Sequence, residues 1–257
     1  MRIATFNVNS IKARLPRVLD WLDAAAPDVV LLQETKTTAE AFPREAFEDR
    51  GYAAAVVGQK TYNGVAILAR ASIEDVTETL PGDAEDSEAR YVEALIDGRV
   101  RVASVYVPNG GEVDSDKYRY KLRFLERLRH RVMSVLDWEE QFVLGGDFNV
   151  APQPEDVHDP ARWQGRILFS QPERAGLRAL LHLGLTDGLR AVTPEPGIYT
   201  WWDYRGGAWA RDHGVRIDHL LLSPQAADRL ADAGVDRAER GREKASDHAP
   251  VWCVLRA

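Results

Sequence analysis

Residues 91–107 read YVEALIDGRVRVASVYV, and in this stretch two apolar runs, Tyr91–Ile96 and Arg99–Val107, flank the dipeptide Asp97-Gly98. An Asp-Gly pair between two runs rich in β-branched residues is typical of a short hairpin turn. The stretch therefore predicts two neighbouring antiparallel strands. A protein built only from alternating parallel strands and helices would not contain such a hairpin.

Further strand-length apolar runs lie on both sides of this hairpin, and helical patterns separate them. The runs are Val29–Leu32, Val65–Leu68, Phe142–Leu144, Ile217–Leu222 and Val251–Leu255. Apolar residues spaced three and four apart at positions 11–22 and 122–136 predict two amphipathic helices, and positions 173–183 predict a third. Several strands per helix favour an α/β sandwich, with two mixed sheets packed face to face and flanked by helices. We expect residues 1–257 to form a single domain.

Composition and charge exclude several classes of protein. The 257 residues are 45% hydrophobic and 28% charged, and 33 basic against 40 acidic residues give a net charge of −7. No segment approaches the roughly 18 apolar residues that a membrane span requires, and the N-terminal residues lack the apolar core of a secretory signal. Cys253 is the single cysteine, so an internal disulfide is excluded. These features favour a cytoplasmic protein with no membrane partner.

Unusual polar residues lie near the ends of the predicted strands: most follow a strand, Asp218 lies inside its run, and Asp247 and His248 precede the final strand. They are Asn7, Asn9, Glu34, Lys36, Tyr106, Asn109, Asp147, Asn149, Asp218, Asp247 and His248. Taken singly, Asn and Asp after a strand are more often turn formers. Gathered at one rim, however, like-charged carboxylates repel each other and call for a cation. Oxygen ligands suit Mg²⁺ or Mn²⁺, and Glu34 is the first predicted ligand.

Five motifs made of these residues carry a resemblance to a known family. They are Phe6–Asn9, Leu32–Lys36, Gly146–Asn149, Arg216–Asp218 and Ser246–Val251. In this order, over essentially the whole chain, the sequence resembles the exonuclease III family of AP endonucleases, within the endonuclease/exonuclease/phosphatase superfamily. The resemblance implies a four-layered α/β sandwich and a Mg²⁺-dependent phosphodiesterase, with Mn²⁺ as the other candidate metal. It also implies incision 5′ to abasic sites and trimming of 3′ ends, as a 3′–5′ exonuclease and 3′-phosphodiesterase.

The resemblance also implies roles for the catalytic residues. Asp147 would orient or deprotonate the attacking water, and His248 would contact a phosphoryl oxygen. Asp218 would bind the other ring nitrogen of His248. The sequence leaves open whether Asp147 or His248 is the general base. Asn149 would point into the same pocket as Asp147, two residues away on one strand face. Two further residues, Tyr106 and Asn109, would line the phosphate side.

Metal and DNA contacts follow from the same resemblance. Glu34 would hold the metal, with Asn7 close by and Asp247 as a further ligand. Trp201 resembles the family's aromatic residue beside the abasic sugar pocket. Lys36 and Arg216 are cations near strand ends that could contact DNA phosphates. The expected partner is double-stranded DNA with abasic sites or 3′ ends, bound by a monomer in a bacterial-type cytoplasm and associated with the nucleoid during repair.

Two other functions remain as alternatives. The first is a superfamily phosphoesterase that acts on another substrate, such as a nonspecific deoxyribonuclease or a lipid or inositol phosphatase. The motif Leu32–Lys36 and the pair Trp201-Trp202 disfavour it. The second is a non-catalytic DNA-binding module on the same fold, which would tolerate loss of Glu34, Asp147 or His248. The sequence leaves open the balance among the three activities, the preferred metal and the number of metal ions, and the oligomeric state.

Overall fold

Asp97 and Gly98 form the turn of a β-hairpin, as the sequence predicts. Both residues have positive φ angles, 55° and 58°, and the backbone N–H of Arg99 donates to the carbonyl of Ile96 at 3.0 Å, which closes the turn; residues 97–99 form the loop. The flanking strands pair in antiparallel register from Tyr91 opposite Val105 to Ile96 opposite Val100. The local turn chemistry therefore sets the register of this pair.

The structure is a computed structural model that describes residues 1–256. Its strands are β1 (Arg2–Asn7), β2 (Val29–Gln33), β3 (Ala53–Val57), β4 (Val65–Ala69), β5 (Ile73–Thr77), β6 (Tyr91–Ile96), β7 (Val100–Tyr106), β8 (Gln141–Asp147), β9 (Thr186–Asp187), β10 (Asp218–Leu222), β11 (Leu230–Val235) and β12 (Val251–Leu255). Its helices are α1 (Ile11–Ala25), α2 (Arg44–Glu48), α3 (Asp116–Leu136), α4 (Pro160–Trp163), α5 (Gln171–Leu181), α6 (Gly188–Val192) and α7 (Pro224–Ala227). Within residues 1–256, none of these helices combines the length and the apolar character needed to cross a membrane.

The strands form two six-stranded sheets. The first sheet has the order β11-β12-β1-β2-β4-β3, and the second has the order β5-β6-β7-β8-β10-β9. Each sheet has one parallel pair, β1 with β2 and β7 with β8, while its other neighbours pair antiparallel. The prediction of two mixed sheets flanked by helices is confirmed.

Three apolar layers hold the two sheets and the helices together. Side chains such as Leu31 and Val102 fill the space between the sheets. Trp21 of α1 packs on the outer face of the first sheet. Leu128 of α3 and Leu177 of α5 pack on the outer face of the second. Each such side chain, fully buried, contributes about 1.5–3 kcal/mol relative to an exposed one. The layers therefore run helix, sheet, sheet, helix, as the resemblance implies.

Helix α3 is rotated slightly from the predicted stripe. The prediction placed Leu122 and Leu136 on the buried face, but both are only half-buried, and Lys121 and Phe124 are buried instead. Helix α5 begins at residue 171 rather than 173, because Glu173 caps its first turn. The two adjustments bring Lys121 and Glu173 into the interior between these helices.

Candidate active site

The polar ends of several strands meet at one edge of the sandwich. β1 ends at Asn7 and β8 ends at Asp147, and the Asn7 side chain reaches across to Asp147. β10 begins at the same edge because it is antiparallel to β8, with Asp218 opposite Asp147. The segment before β12 brings His248 there as well. Gly146 lets β8 approach β7 closely, since a Cβ atom at this position would lie 1.9 Å from the carbonyl oxygen of Val105.

His248 is held by a buried carboxylate. Its Nδ1 lies 2.9 Å and 3.1 Å from the two carboxylate oxygens of Asp218. The hydroxyl of Thr200 donates to Asp218 at 2.6 Å and accepts the backbone N–H groups of Ile217 and Asp218. Burial alone would lower the pKa of His248, but Asp218 and Asp147 raise that pKa to about 10. The imidazole is therefore protonated near neutral pH and offers Nε2–H to the pocket.

Asp147 lies at the centre of the site and is almost fully buried. One carboxylate oxygen accepts the backbone N–H of Asn149 at 2.9 Å, and the other accepts Nδ2 of Asn7 at 2.9 Å. The second oxygen also lies 3.7 Å from Nε2 of His248. Burial, together with repulsion from Asp218 and Glu34, raises the pKa of Asp147 to about 7. A carboxyl with such a pKa is suited to take up a proton near neutral pH.

Three side chains lie close enough together to surround a metal ion, since one atom each of Glu34, Asp147 and His248 lies within 4.8 Å of the others. The two carboxylates are the ligands among them, because the imidazole of His248 is protonated and donates instead. Asn7 Nδ2 donates to both Glu34 and Asp147 at 2.9 Å, so two carboxylates share one amide group. Lys36 also pairs with Glu34 at 2.8 Å. Carboxylates gathered in this way suit a hard divalent cation.

Asn7 and Asp247, the other predicted ligands, have protein partners in this structure. The Asn7 side-chain oxygen accepts the backbone N–H of Asn9 at 3.0 Å. One Asp247 oxygen accepts Asn9 Nδ2 and the other accepts Trp201 Nε1, each at 2.9 Å. Asp247 lies outside the group of three that could surround one ion. The Asn7 amide therefore orients the carboxylates of Glu34 and Asp147 by donating to both. Asp247 is linked to the site by the hydrogen bond that it accepts from Asn9.

The predicted phosphate side is also assembled at this edge. Tyr106 lies opposite Asp147 in the parallel register of β7 and β8. Burial and the nearby charges of Glu34 and Asp147 raise the pKa of Tyr106 well above its usual value, so the phenol stays neutral and can donate. Asn109 Nδ2 donates to the side-chain oxygen of Asn149 at 3.1 Å, and Asn149 Nδ2 donates to a backbone carbonyl at 3.0 Å.

Several residues of the site have left-handed backbone conformations. Asn9, Glu34, Lys36 and Asn149 have φ angles of 43°, 50°, 52° and 51°. Each non-glycine residue in this region costs about 1–3 kcal/mol, and such residues occur mostly where the surrounding structure fixes them for function. These four motif residues are among the fifteen non-glycine residues within positions 1–256 that have positive φ.

The predicted DNA contacts have different surroundings. Trp201 is half-buried at the site, whereas its neighbour Trp202 is fully buried against Trp209. Lys36 is half-buried and donates to the Asn9 side chain at 2.5 Å. The prediction that Arg216 contacts DNA is wrong, because only 1% of the Arg216 surface is exposed. Its guanidinium instead pairs with two buried or nearly buried carboxylates, those of Asp156 and Asp187.

Sequence reasoning missed Thr200, and it named Lys121 among the cations for DNA phosphates, whereas Lys121 is buried and supports the site from behind. Thr200 holds Asp218, and Lys121 donates to the backbone carbonyl oxygens of Asn109 and Asn149. Thr200 gives no distinctive signal, because a threonine beside aromatic residues is ordinary in a β-rich chain. Lys121 does give one, since Phe124, Leu125 and Leu128 follow it at the spacing of one helix face.

Comparison with known proteins agrees with this geometry. The chain matches the Endonuclease/Exonuclease/phosphatase family over residues 4–248. It is 33% identical to exodeoxyribonuclease III of Haemophilus influenzae over 100% of both chains. A 3′ phosphatase from Neisseria, solved with a product DNA hairpin, shows 43% identity and a TM-score of 0.97 over 100% of both chains. An AP endonuclease from Archaeoglobus fulgidus shows 41% identity and a TM-score of 0.95, again over 100% of both. The resemblance inferred from the five motifs is confirmed.

Proposed function

The chain belongs to the endonuclease/exonuclease/phosphatase family and is an enzyme of that family, and from this we propose that it is a Mg²⁺-dependent DNA-repair phosphodiesterase. It incises duplex DNA 5′ to abasic sites and trims 3′ ends, as a 3′–5′ exonuclease and 3′-phosphodiesterase. One observation carries the proposal: a carboxylate with a pKa of about 7, Asp147, faces a protonated imidazole, His248, across 3.7 Å. Such a pair can accept a proton and stabilise phosphoryl charge in one pocket.

Phosphodiester hydrolysis requires a positioned water, and Asp147 is the group that takes its proton in this proposal. Asn149 and Asn7 fix the two Asp147 oxygens. The remaining lone pairs can orient the water for in-line attack. His248 is a poor base because its pKa of about 10 keeps it protonated. We therefore assign proton acceptance to Asp147.

The other side chains bind the phosphoryl group. His248 Nε2–H donates to one phosphoryl oxygen while Asp218 holds the ring from the other side. The neutral Tyr106 phenol and the second N–H of the Asn149 amide can donate to the other oxygens. Asn109 keeps the Asn149 amide in this orientation. These donors are in place before the reaction, which is the arrangement that lowers a barrier most.

The residues fit a divalent cation, because Glu34 and Asp147 lie close together with a single shared amide donor. Glu34 would hold Mg²⁺, with Asp147 adjacent and Asn7 and Asp247 nearby; Mn²⁺ is the other candidate. When bound, the cation supplies positive charge beside the phosphoryl and leaving oxygens. Lys36, which pairs with Glu34 here, would then be released toward the DNA backbone.

The relatives support a DNA substrate. The matched proteins are described as an exodeoxyribonuclease, a 3′ phosphatase with a product DNA hairpin and an AP endonuclease. We extend these three activities to this chain as one set, acting on double-stranded DNA with abasic sites or 3′ ends. We also propose that the protein acts as a monomer in a bacterial-type cytoplasm and associates with the nucleoid during repair.

The test uses purified protein and a labelled duplex with one internal abasic analogue, and a second duplex with a recessed 3′-phosphate. Each is incubated with Mg²⁺, Mn²⁺ or EDTA, and the product ends are resolved. We expect cleavage 5′ to the abasic analogue, leaving a 3′-hydroxyl, and release of phosphate from the second duplex. Neither reaction should occur in EDTA. Absence of both reactions with either metal would refute the proposal.

A further inference from the structure

Lys121 is a buried cation behind the active site. It lies on α3, and none of its surface is exposed. Its Nζ donates to the backbone carbonyl of Asn149 at 2.6 Å, to that of Asn109 at 3.1 Å, and to the carboxylate of Glu173. An ammonium group has three N–H donors, and here each has an acceptor.

Glu173 completes the arrangement from α5. One of its oxygens accepts from Lys121 and from the backbone N–H of Leu168. The other accepts the backbone N–H and the hydroxyl of Ser170. The carboxylate is therefore fully hydrogen-bonded, and it anchors Lys121 to the start of a second helix.

We propose that the Lys121–Glu173 pair is a positioning device, which sets the main chain of Asn109 and Asn149 so that their side chains meet the phosphoryl group. The inference rests on the proposed function, since the roles of the two asparagines belong to it. The two asparagines lie in separate loops, after β7 and after β8, and a side-chain hydrogen bond from Asn109 to Asn149 joins the loops at the pocket, while Lys121 joins their main chains from behind. Lys121 binds one carbonyl in each loop and so fixes their separation.

A buried ion pair is not explained by stability alone. Replacing such a pair with neutral side chains of similar volume is often neutral or stabilising, because two charges lose their hydration on burial. Two of the Lys121 N–H groups bind carbonyls of active-site loops, so the effect of Lys121 on the positions of these loops explains its burial better. A misplacement of about 1 Å in a catalytic group can cost about 100-fold in rate.

The first test separates positioning from stability with a neutral pair. In Lys121→Met/Glu173→Gln both buried charges are removed; the glutamine oxygen still accepts from Ser170, and the backbone N–H of Leu168 loses its acceptor. We expect the double variant to melt below the wild type because of this lost hydrogen bond, and above Lys121→Met alone, which leaves an unpaired carboxylate. We also expect its kcat for abasic incision to fall about 10- to 100-fold while KM changes less than about threefold.

A second pair of variants perturbs Lys121 from a loop and leaves the core intact. A Cβ atom at Gly110 would lie 3.0 Å from Lys121 Cδ and 2.8 Å from Ile167 Cδ1, whereas at Gly111 the nearest atom, Lys117 Cδ, lies 3.6 Å away. Both glycines have positive φ, 93° and 66°. Gly111→Ala therefore controls for a methyl group added at positive φ in the same loop, with less backbone strain than at Gly110. We expect Gly110→Ala to lower kcat by about fivefold or more relative to Gly111→Ala.

The results of these tests distinguish failure of the positioning role from failure of the proposed function. A stable double variant with wild-type kcat would overturn the positioning role, and so would equal kcat values in Gly110→Ala and Gly111→Ala. If the wild type itself has no nuclease activity, the proposed function fails instead. The positioning claim is then tested by the side-chain amide NMR signals of Asn109 and Asn149, which we expect to shift in the double variant. Unmoved signals in the double variant would refute it.

Discussion

Asp218 lies directly opposite Asp147 in the antiparallel pairing of β10 with β8, so the two carboxylates project from the same face of the second sheet. Both are almost fully buried. His248 lies between them, with Nδ1 at 2.9 Å from Asp218 and Nε2 at 3.7 Å from Asp147. One imidazolium therefore interacts with two buried carboxylates, and its charge state depends on both.

Replacing Asp147 tests the assignment of the base. We expect Asp147→Asn to bind the abasic duplex as the wild type does and to lose about 10²- to 10⁴-fold in single-turnover incision, because an amide cannot accept the proton of water. Asp116→Asn is the matched control, since the Asp116 side chain is 98% exposed. Near-wild-type chemistry in Asp147→Asn would move the base to another group.

Glu34→Gln tests the metal site. The carboxylate contributes charge to the cation and little to the core, so we expect a large increase in the Mg²⁺ concentration needed for half-maximal rate and only a small change in melting temperature. Mg²⁺ titrations of the rate and thermal melts measure the two effects. Glu243→Gln, at a side chain that is 87% exposed, controls for the loss of one negative charge. An unchanged Mg²⁺ requirement in Glu34→Gln would remove Glu34 from the set of ligands.

Trp201→Ala tests recognition of the abasic site. We expect it to impair abasic incision by about 1–3 kcal/mol more than 3′-end trimming, because a flipped sugar needs a rigid aromatic wall and a recessed end does not. Trp201 Nε1 also donates to Asp247, so Trp201→Phe, which keeps a ring and loses that hydrogen bond, serves as the control. Equal losses on both substrates, with a lowered melting temperature, would make Trp201 a structural residue.

Arg216→Met tests the structural role of the buried arginine by its pH dependence. Burial alone would raise the pKa values of Asp156 and Asp187, but Arg216 holds both below the ordinary value of 3.8. In the wild type this stabilisation is present above about pH 3.8 and is lost as pH falls through the lowered pKa values. In the variant the carboxylates lose this partner, so we expect a loss of about 3–5 kcal/mol at pH 7.

Acid should reduce the difference in stability between the wild type and Arg216→Met. Asp156 keeps its ion pair with Arg190, whereas Asp187 loses its ion pair and should have a raised pKa, so protonation of Asp187 between pH 7 and about pH 4 relieves part of the cost. Melting curves across this range should show the gap between wild type and Arg216→Met narrowing as pH falls. Arg205→Met, at a side chain that is 90% exposed, should run parallel to the wild type. A gap of constant size would contradict the assignment.

Much of the fold could be predicted because its signals are local. The turn at Asp97-Gly98 and the apolar runs predict strands from a few neighbouring residues. Sheet order could not be predicted in this way, because β12 lies between β11 and β1, which are far from each other in sequence. Such pairings depend on long-range packing rather than on turn chemistry. That residues 1–257 form a single domain stays a prediction.

The site could be predicted as a set of motifs, and its supporting contacts could not. Arg216 is only two residues before Asp218, and a strand through both would put them on one face. The strand begins at Asp218, however, so Arg216 precedes the ladder and pairs with Asp156 and Asp187 instead. Roles for the motif residues, including the choice between Asp147 and His248, stay predictions for the experiments above.

The position of β12 has a consequence for the order in which a newly synthesised chain becomes active. Asn7, Glu34, Tyr106 and Asp147 all leave the ribosome before His248. β12, which follows His248, lies between β11 and β1 in the finished sheet. A partly translated chain therefore carries the acidic half of the pocket without the imidazole opposite it. The order of synthesis would therefore keep the catalytic pocket incomplete until His248 and β12 have been made.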